Sequence, residues 1–87
     1  MPQIYSITQV NEYIQGMMNA DPRLSQVAVH GEISNYKCYP SGHHYFTLKD
    51  ESSALKCVMF KGNAMGLRFR PANGMKVIAL GRITVYP

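Results

Sequence analysis

Residues 42–60 constrain the fold of this chain more than any other stretch. In Gly42-His43-His44-Tyr45-Phe46-Thr47-Leu48-Lys49-Asp50, Phe46 and Leu48 fall on one side of an extended chain while His43, Tyr45, Thr47 and Lys49 fall on the other. That alternation with a period of two is the pattern of a half-buried strand, and it has no helical counterpart. Asp50-Glu51-Ser52-Ser53 supplies a turn, after which Leu55, Cys57 and Met59 resume an apolar face with Lys56, Val58 and Phe60 opposite. The result is a hairpin with one apolar face and one face that mixes aromatic rings with ammonium groups. Such a surface suits unpaired, negatively charged polynucleotide, because rings stack on bases and cations neutralise phosphates.

The flanking sequence extends the sheet. Thr8 is the expected N-cap of a helix whose stripe Val10, Tyr13, Ile14, Met17 and Met18 has helical spacing and is expected to pack on the sheet. Asp21-Pro22 ends it, since the residue before a proline is driven out of helical geometry. From Gln26 the period becomes two, with Val27, Val29, Gly31 and Ile33 on one side, and Gly31 marks a bend or bulge. Asn35 to Ser41 reads as a loop carrying Tyr36, Lys37 and Tyr39 as exposed groups. Gly62 and Gly66 make the 61–67 stretch a weak helix or irregular connection, and Asn73-Gly74 is a tight turn. Met75 to Tyr86 alternates as a last strand, apolar enough on both faces to be covered on both. One helix, a strand, a hairpin, a connection and a long strand match four of the five strands of an oligonucleotide-binding (OB) barrel.

At 87 residues the chain has room for one small domain, so residues 1–87 are taken as the helix plus a partial OB domain. Its net charge of +4 is unevenly spread: no acid follows Glu51, whereas Lys56, Lys61, Arg68, Arg70, Lys76 and Arg82 do. A basic half of this kind favours a polyanionic partner. The chain lacks an apolar run of membrane-spanning length, and Met1-Pro2-Gln3-Ile4-Tyr5 lacks the blocks of a secretory signal, so the expected location is cytoplasmic with no membrane partner. Cys38 and Cys57 read as reduced thiols.

The residues give little support to catalysis within the chain. Phosphodiester hydrolysis usually needs clustered carboxylates around metal ions, or a nucleophile beside a base. Asp50 and Glu51 are adjacent and diverge, Glu12 and Asp21 belong to the helix region, and Glu32 stands alone. Cys38, His43 and His44 do not make a zinc site, because neighbouring histidines on a strand point to opposite faces. The residues expected to touch a nucleic acid are Tyr36, Lys37, His43, Tyr45, Lys49, Lys56, Phe60 and Arg82.

Gly31-Glu32-Ile33-Ser34-Asn35, the 41–50 stretch ending Tyr45-Phe46-Thr47-Leu48-Lys49-Asp50, Val58-Met59-Phe60 and Asn73-Gly74-Met75-Lys76-Val77 resemble, in order and spacing, the N-terminal domain of exodeoxyribonuclease VII large subunits. The resemblance implies a bacterial nuclease that cuts single-stranded DNA to oligonucleotides, with an OB domain holding the strand and a later domain cutting it. It implies assembly with several small subunits through regions outside these residues, and a barrel that stops before its fifth strand. No cofactor is expected in this chain, and the metal requirement of the parent is left open. Many family members carry a basic residue at the position of Leu80, whereas here the cation is Arg82, two positions on and on the same strand face. Two other readings stand beside this one: a general single-strand or RNA-binding OB module, and an oligomerisation module acting through open sheet edges by strand addition or exchange.

Overall fold

The structure, a computed structural model, describes residues 2–85; Tyr86, expected in the last strand, lies outside the described residues. In chain order the elements are α1 (Ile7–Ala20), α2 (Pro22–Ser25), β1 (Val27–Cys38), β2 (His44–Lys49), β3 (Ala54–Met59), α3 (Lys61–Ala64) and β4 (Lys76–Gly81). The strands form one sheet in the order β3-β2-β1-β4, with β1 antiparallel to β2 and β2 antiparallel to β3. The expected class is correct: mainly β with an N-terminal helix, an OB-type sheet that is not closed. The chain gathers into two compact units, one running through Val29 and resuming at Ala79, the other His30–Ile78.

In the first unit α1 begins at Ser6 rather than Thr8. Ser6 Oγ accepts from the Gln9 N–H while the Gln9 side chain accepts from the Ser6 N–H, a complete capping box. Thr8 has Asn11 three residues on and cannot form that pair. Replacing Ser6 by Ala is expected to cost about 1 kcal/mol, a fall of about 4–8 °C in melting temperature for a domain of this size. Thr8→Ala, two residues inside the helix, is expected to leave the melt unchanged.

Most of the stripe expected to pack on the sheet is exposed, with Tyr13 at 70%, Met17 at 61%, Val10 at 41% and Ile14 at 38%, and no residue of α1 is fully buried. Of the stripe only Met18 is half-buried, and Asn11 and Gln15 share that side with it. Polar bonds fix that orientation, from Gln15 Nε2 to the Val85 carbonyl and between Thr84 Oγ1 and Asn19 Oδ1. Asp21 ends α1 as expected and also caps α2, taking the Arg23 N–H with Pro22 in the first turn.

The second unit is built on the hairpin. Ile33 and Leu48 face each other across the β1–β2 ladder and are the two buried apolar side chains among the described residues. Gly31 stands where β2 runs closest: a Cβ there would lie 3.2 Å from the Lys49 carbonyl oxygen and 3.3 Å from Leu48 Cβ. Asp50 closes the β2–β3 turn by accepting from the Ser52 and Ser53 N–H groups, both at 2.9 Å. Those bonds hold its carboxyl below the ordinary carboxylate range, so their support is present at neutral pH and is lost as acid protonates it. The Asn73-Gly74 turn is pinned to β1, with the Gly74 N–H on the Ile33 carbonyl and the Ile33 N–H on Met75 O.

Two strand boundaries differ from expectation. β1 continues through Cys38, so Asn35 to Cys38 are strand rather than loop. Its register slips between Ser34 and Lys37, where Asn35 takes the left-handed conformation at φ 52° that asparagine tolerates better than most residues. β4 ends at Gly81 and is not covered on both faces: Ile78 is 73% and Leu80 82% exposed. After Gly81 the chain leaves the ladder, its Ile83 N–H donating to the Leu24 carbonyl.

Candidate nucleic-acid interface

The ladders decide which side chains share a surface. Tyr45, Thr47 and Lys49 of β2 pair with Val58, Lys56 and Ala54 of β3, and with Lys37, Ser34 and Glu32 of β1. Directly paired residues project to the same side of a sheet, so Lys37, Tyr45, Lys49 and Lys56 occupy one face. The slip in β1 puts Lys37 there. Without the extra residue Lys37 would have alternated to the Leu48 side.

The loop end of this face is aromatic. The β1–β2 connection is short, with the Tyr39 N–H on the His43 carbonyl and the Gly42 N–H on the Tyr39 carbonyl. It brings the Tyr39 ring edge-on to Tyr45, centroids 5.1 Å apart, so that Tyr39, Pro40, Ser41 and Tyr45 line a shallow hollow. Tyr39 was missed among the expected contacts. The signal was a Tyr-Pro pair in a connection too short to carry the ring away from the strand. Gly42 holds φ 90° here, and a Cβ would come within 2.9 Å of the Lys61 side chain.

His43 and Phe60 form a second edge-on pair, centroids 5.3 Å apart. His43 Nδ1 accepts from the Lys61 N–H at 2.9 Å, which assigns the proton of the neutral ring to Nε2. The ring therefore presents a donor on its free side. Lys49 and Glu32 are 3.6 Å apart across the ladder, so the Lys49 charge is partly compensated, whereas among the described residues Lys37 and Lys56 have no acidic partner.

One expected contact, Tyr36, turns to the other face of the sheet, and another, Arg82, lies in the other compact unit. Tyr36 is not an exposed loop residue: the same slip turns it to the Leu48 face, where it is half-buried, bonds His44 Nδ1 through its hydroxyl and lies beside Phe46. Its N–H donates to Asn73 Oδ1, and burial pushes its phenol above the ordinary value. Arg82 follows β4 and is exposed, but it belongs to the other compact unit. Cys57 sits opposite Phe46 on the Leu48 face, and burial raises its thiol pKa.

His43 and His44 each use Nδ1 for a bond within the protein, to Lys61 and Tyr36. Among the described residues no group of three or more His, Cys, Asp or Glu side chains is arranged to hold a metal ion, and no helix is long and apolar enough to cross a membrane. The surface is thus a strip of rings and cations. It can stack bases and neutralise phosphates.

Similar proteins share this sequence at high identity. The chain is 51% identical over 86 residues to an exodeoxyribonuclease 7 large subunit of Ruminiclostridium cellulolyticum, covering 99% of this chain and 21% of that protein. It is 51% identical over 86 residues to the large subunit of Lachnoclostridium phytofermentans, with the same coverage, and 48% identical over 81 residues to that of Alkaliphilus oremlandii, covering 93% of this chain and 20% of the relative. The chain therefore spans about a fifth of the length of these curated relatives. The pattern of the OB-fold nucleic acid binding domain family matches residues 5–87, and the chain belongs to that family.

Proposed function

We propose that this chain holds single-stranded DNA across the Tyr45 face of β1–β3, as the strand-holding domain of an exodeoxyribonuclease large subunit whose cutting residues lie in another domain. The observation that carries the reading is the convergence of Lys37, Tyr45 and Lys56 from three strands onto one face, with Tyr39 and the His43–Phe60 pair at its end. Rings a few ångströms apart offer successive stacking platforms, and the free lysines track the backbone without reading sequence. The kinship with large subunits that are named exodeoxyribonucleases supports DNA over RNA. The same reading includes a cytoplasmic setting, small-subunit partners and cleavage by a separate domain. These 87 residues contribute no catalytic group and no cofactor site in this reading.

A titration of a labelled single-stranded oligonucleotide at two salt concentrations tests it. Binding through three free or partly free lysines is expected to weaken with a log–log salt slope of about −2, at roughly −0.7 per phosphate for a single strand. An affinity independent of salt would contradict it.

A second reading is favoured by one observation: β3 and β4 are the open edges of the sheet, and β4 exposes Ile78 and Leu80. We propose that copies of this chain pair through these edges by strand addition or exchange. Size measured across a dilution series is expected to fall from dimer toward monomer. A monomer at every concentration excludes it.

A further inference from the structure

The most distinctive feature outside the Tyr45 face is an open cavity of about 690 Å³ on the opposite side of the second unit, lined by Tyr36, Cys38, His44, Arg68, Phe69 and Arg70 among others. Its floor is satisfied, with the Tyr36 hydroxyl bonded to His44 and the two rings edge-on at 5.5 Å. Its rim is not. Among the described residues neither Arg68 nor Arg70 has a carboxylate partner, and both are exposed with Phe69, itself 51% exposed, between them. The acids of this unit are occupied or distant in sequence: Glu32 is with Lys49, Asp50 holds the β2–β3 turn, and Glu51 sits in that turn. Arg70 is close enough to Tyr36 for its charge to pull the phenol pKa down against the effect of burial.

Two unpaired guanidiniums flanking an exposed ring are chemically suited to a nucleotide, since guanidinium recognises phosphate through paired N–H donors and a phenyl ring stacks on a base. We propose that Arg68, Phe69 and Arg70 form a second contact point for the single strand, gripping a backbone phosphate with its nucleoside against Phe69. This rests on the Tyr45 face being the main seat of that strand. His44 and Tyr45 are consecutive, so the cavity and the face meet at the same end of β2. A strand leaving the face past His43 and Phe60 reaches the chain that follows α3. Short strands would occupy the face alone, and longer ones both places.

The test uses oligothymidylates of about 4 and about 16 nucleotides, the range of OB-fold site sizes, with the 87-residue protein and three variants. Arg68→Ala/Arg70→Ala is expected to leave the short strand unaffected and to weaken the long one about tenfold or more, lowering its salt slope by about 0.7 for each phosphate lost. Arg23→Ala/Lys76→Ala removes the same charge elsewhere and is expected to change both lengths slightly and equally. Tyr45→Ala is expected to weaken both lengths. If Arg68→Ala/Arg70→Ala matches the charge control at both lengths, or weakens both equally, the second contact is overturned. If Tyr45→Ala changes neither length, the failure lies with the main seat instead. Arg68→Lys/Arg70→Lys, which keeps the charge, is expected to restore most of the salt slope, and no recovery in a variant with an unchanged melt would also overturn the proposal.

Discussion

Leu48→Ala is expected to unfold this protein or bring it close to unfolding at room temperature. Leu48 is 3% exposed and faces Ile33, the other buried apolar side chain among the described residues. Truncating a buried leucine costs about 2–5 kcal/mol, from lost transfer energy and the cavity left behind. Total stabilities run from about 5 to 15 kcal/mol, and a chain this small belongs near the lower end. The melting temperature should therefore fall by at least about 8 °C, at about 4–8 °C per kcal/mol. Leu80→Ala is the informative comparison. The apolar residues on both faces of the last strand make Leu80 look covered, yet it is 82% exposed, and its loss should shift stability by less than about 0.5 kcal/mol. Equal shifts from the two variants would contradict the placement of the core.

The hairpin was legible because two independent signals agree there. The period of two runs unbroken from His43 to Lys49 and again from Leu55 to Phe60, and Asp50 with its serines is a turn by its own hydrogen bonding. The pairing of Tyr45, Lys49 and Lys56 on one face follows from that alone. Tyr36 could not be placed the same way, because one residue added to a strand reverses every later side chain. The visible clue, an asparagine at position 35, is common in loops as well as bulges. The roll of α1 was hidden for a different reason. Its apolar stripe is conspicuous, but the half-buried side is held by bonds that Gln15 donates to Val85 and Asn19 accepts from Thr84, some seventy positions away in the chain. The end of β4 was equally hidden, since Gly81-Arg82-Ile83 continues the alternation while the backbone turns to Leu24.

Tyr45→Ala and Lys56→Ala are expected to have the largest effects on binding while sparing the fold. Both side chains are on the Tyr45 face, away from the Ile33–Leu48 contact, so the sheet should survive either change. Loss of the Tyr45 ring removes one stacking platform, worth about 1–3 kcal/mol per base, and leaves Tyr39 without its edge-on partner. Lys56 carries an unpaired charge near the middle of the face, and its removal should lower the salt slope by about 0.7. Lys49→Ala should do less than Lys56→Ala, because Glu32 already offsets much of the Lys49 charge. The decisive measurement is the affinity of a labelled single strand for the Tyr45→Ala/Lys56→Ala double variant, set beside that of the unchanged protein in the same buffer. A loss of about tenfold or more, with the melt preserved, is the expected result. Equal affinity in a folded double variant would mean that the strand does not lie on this face.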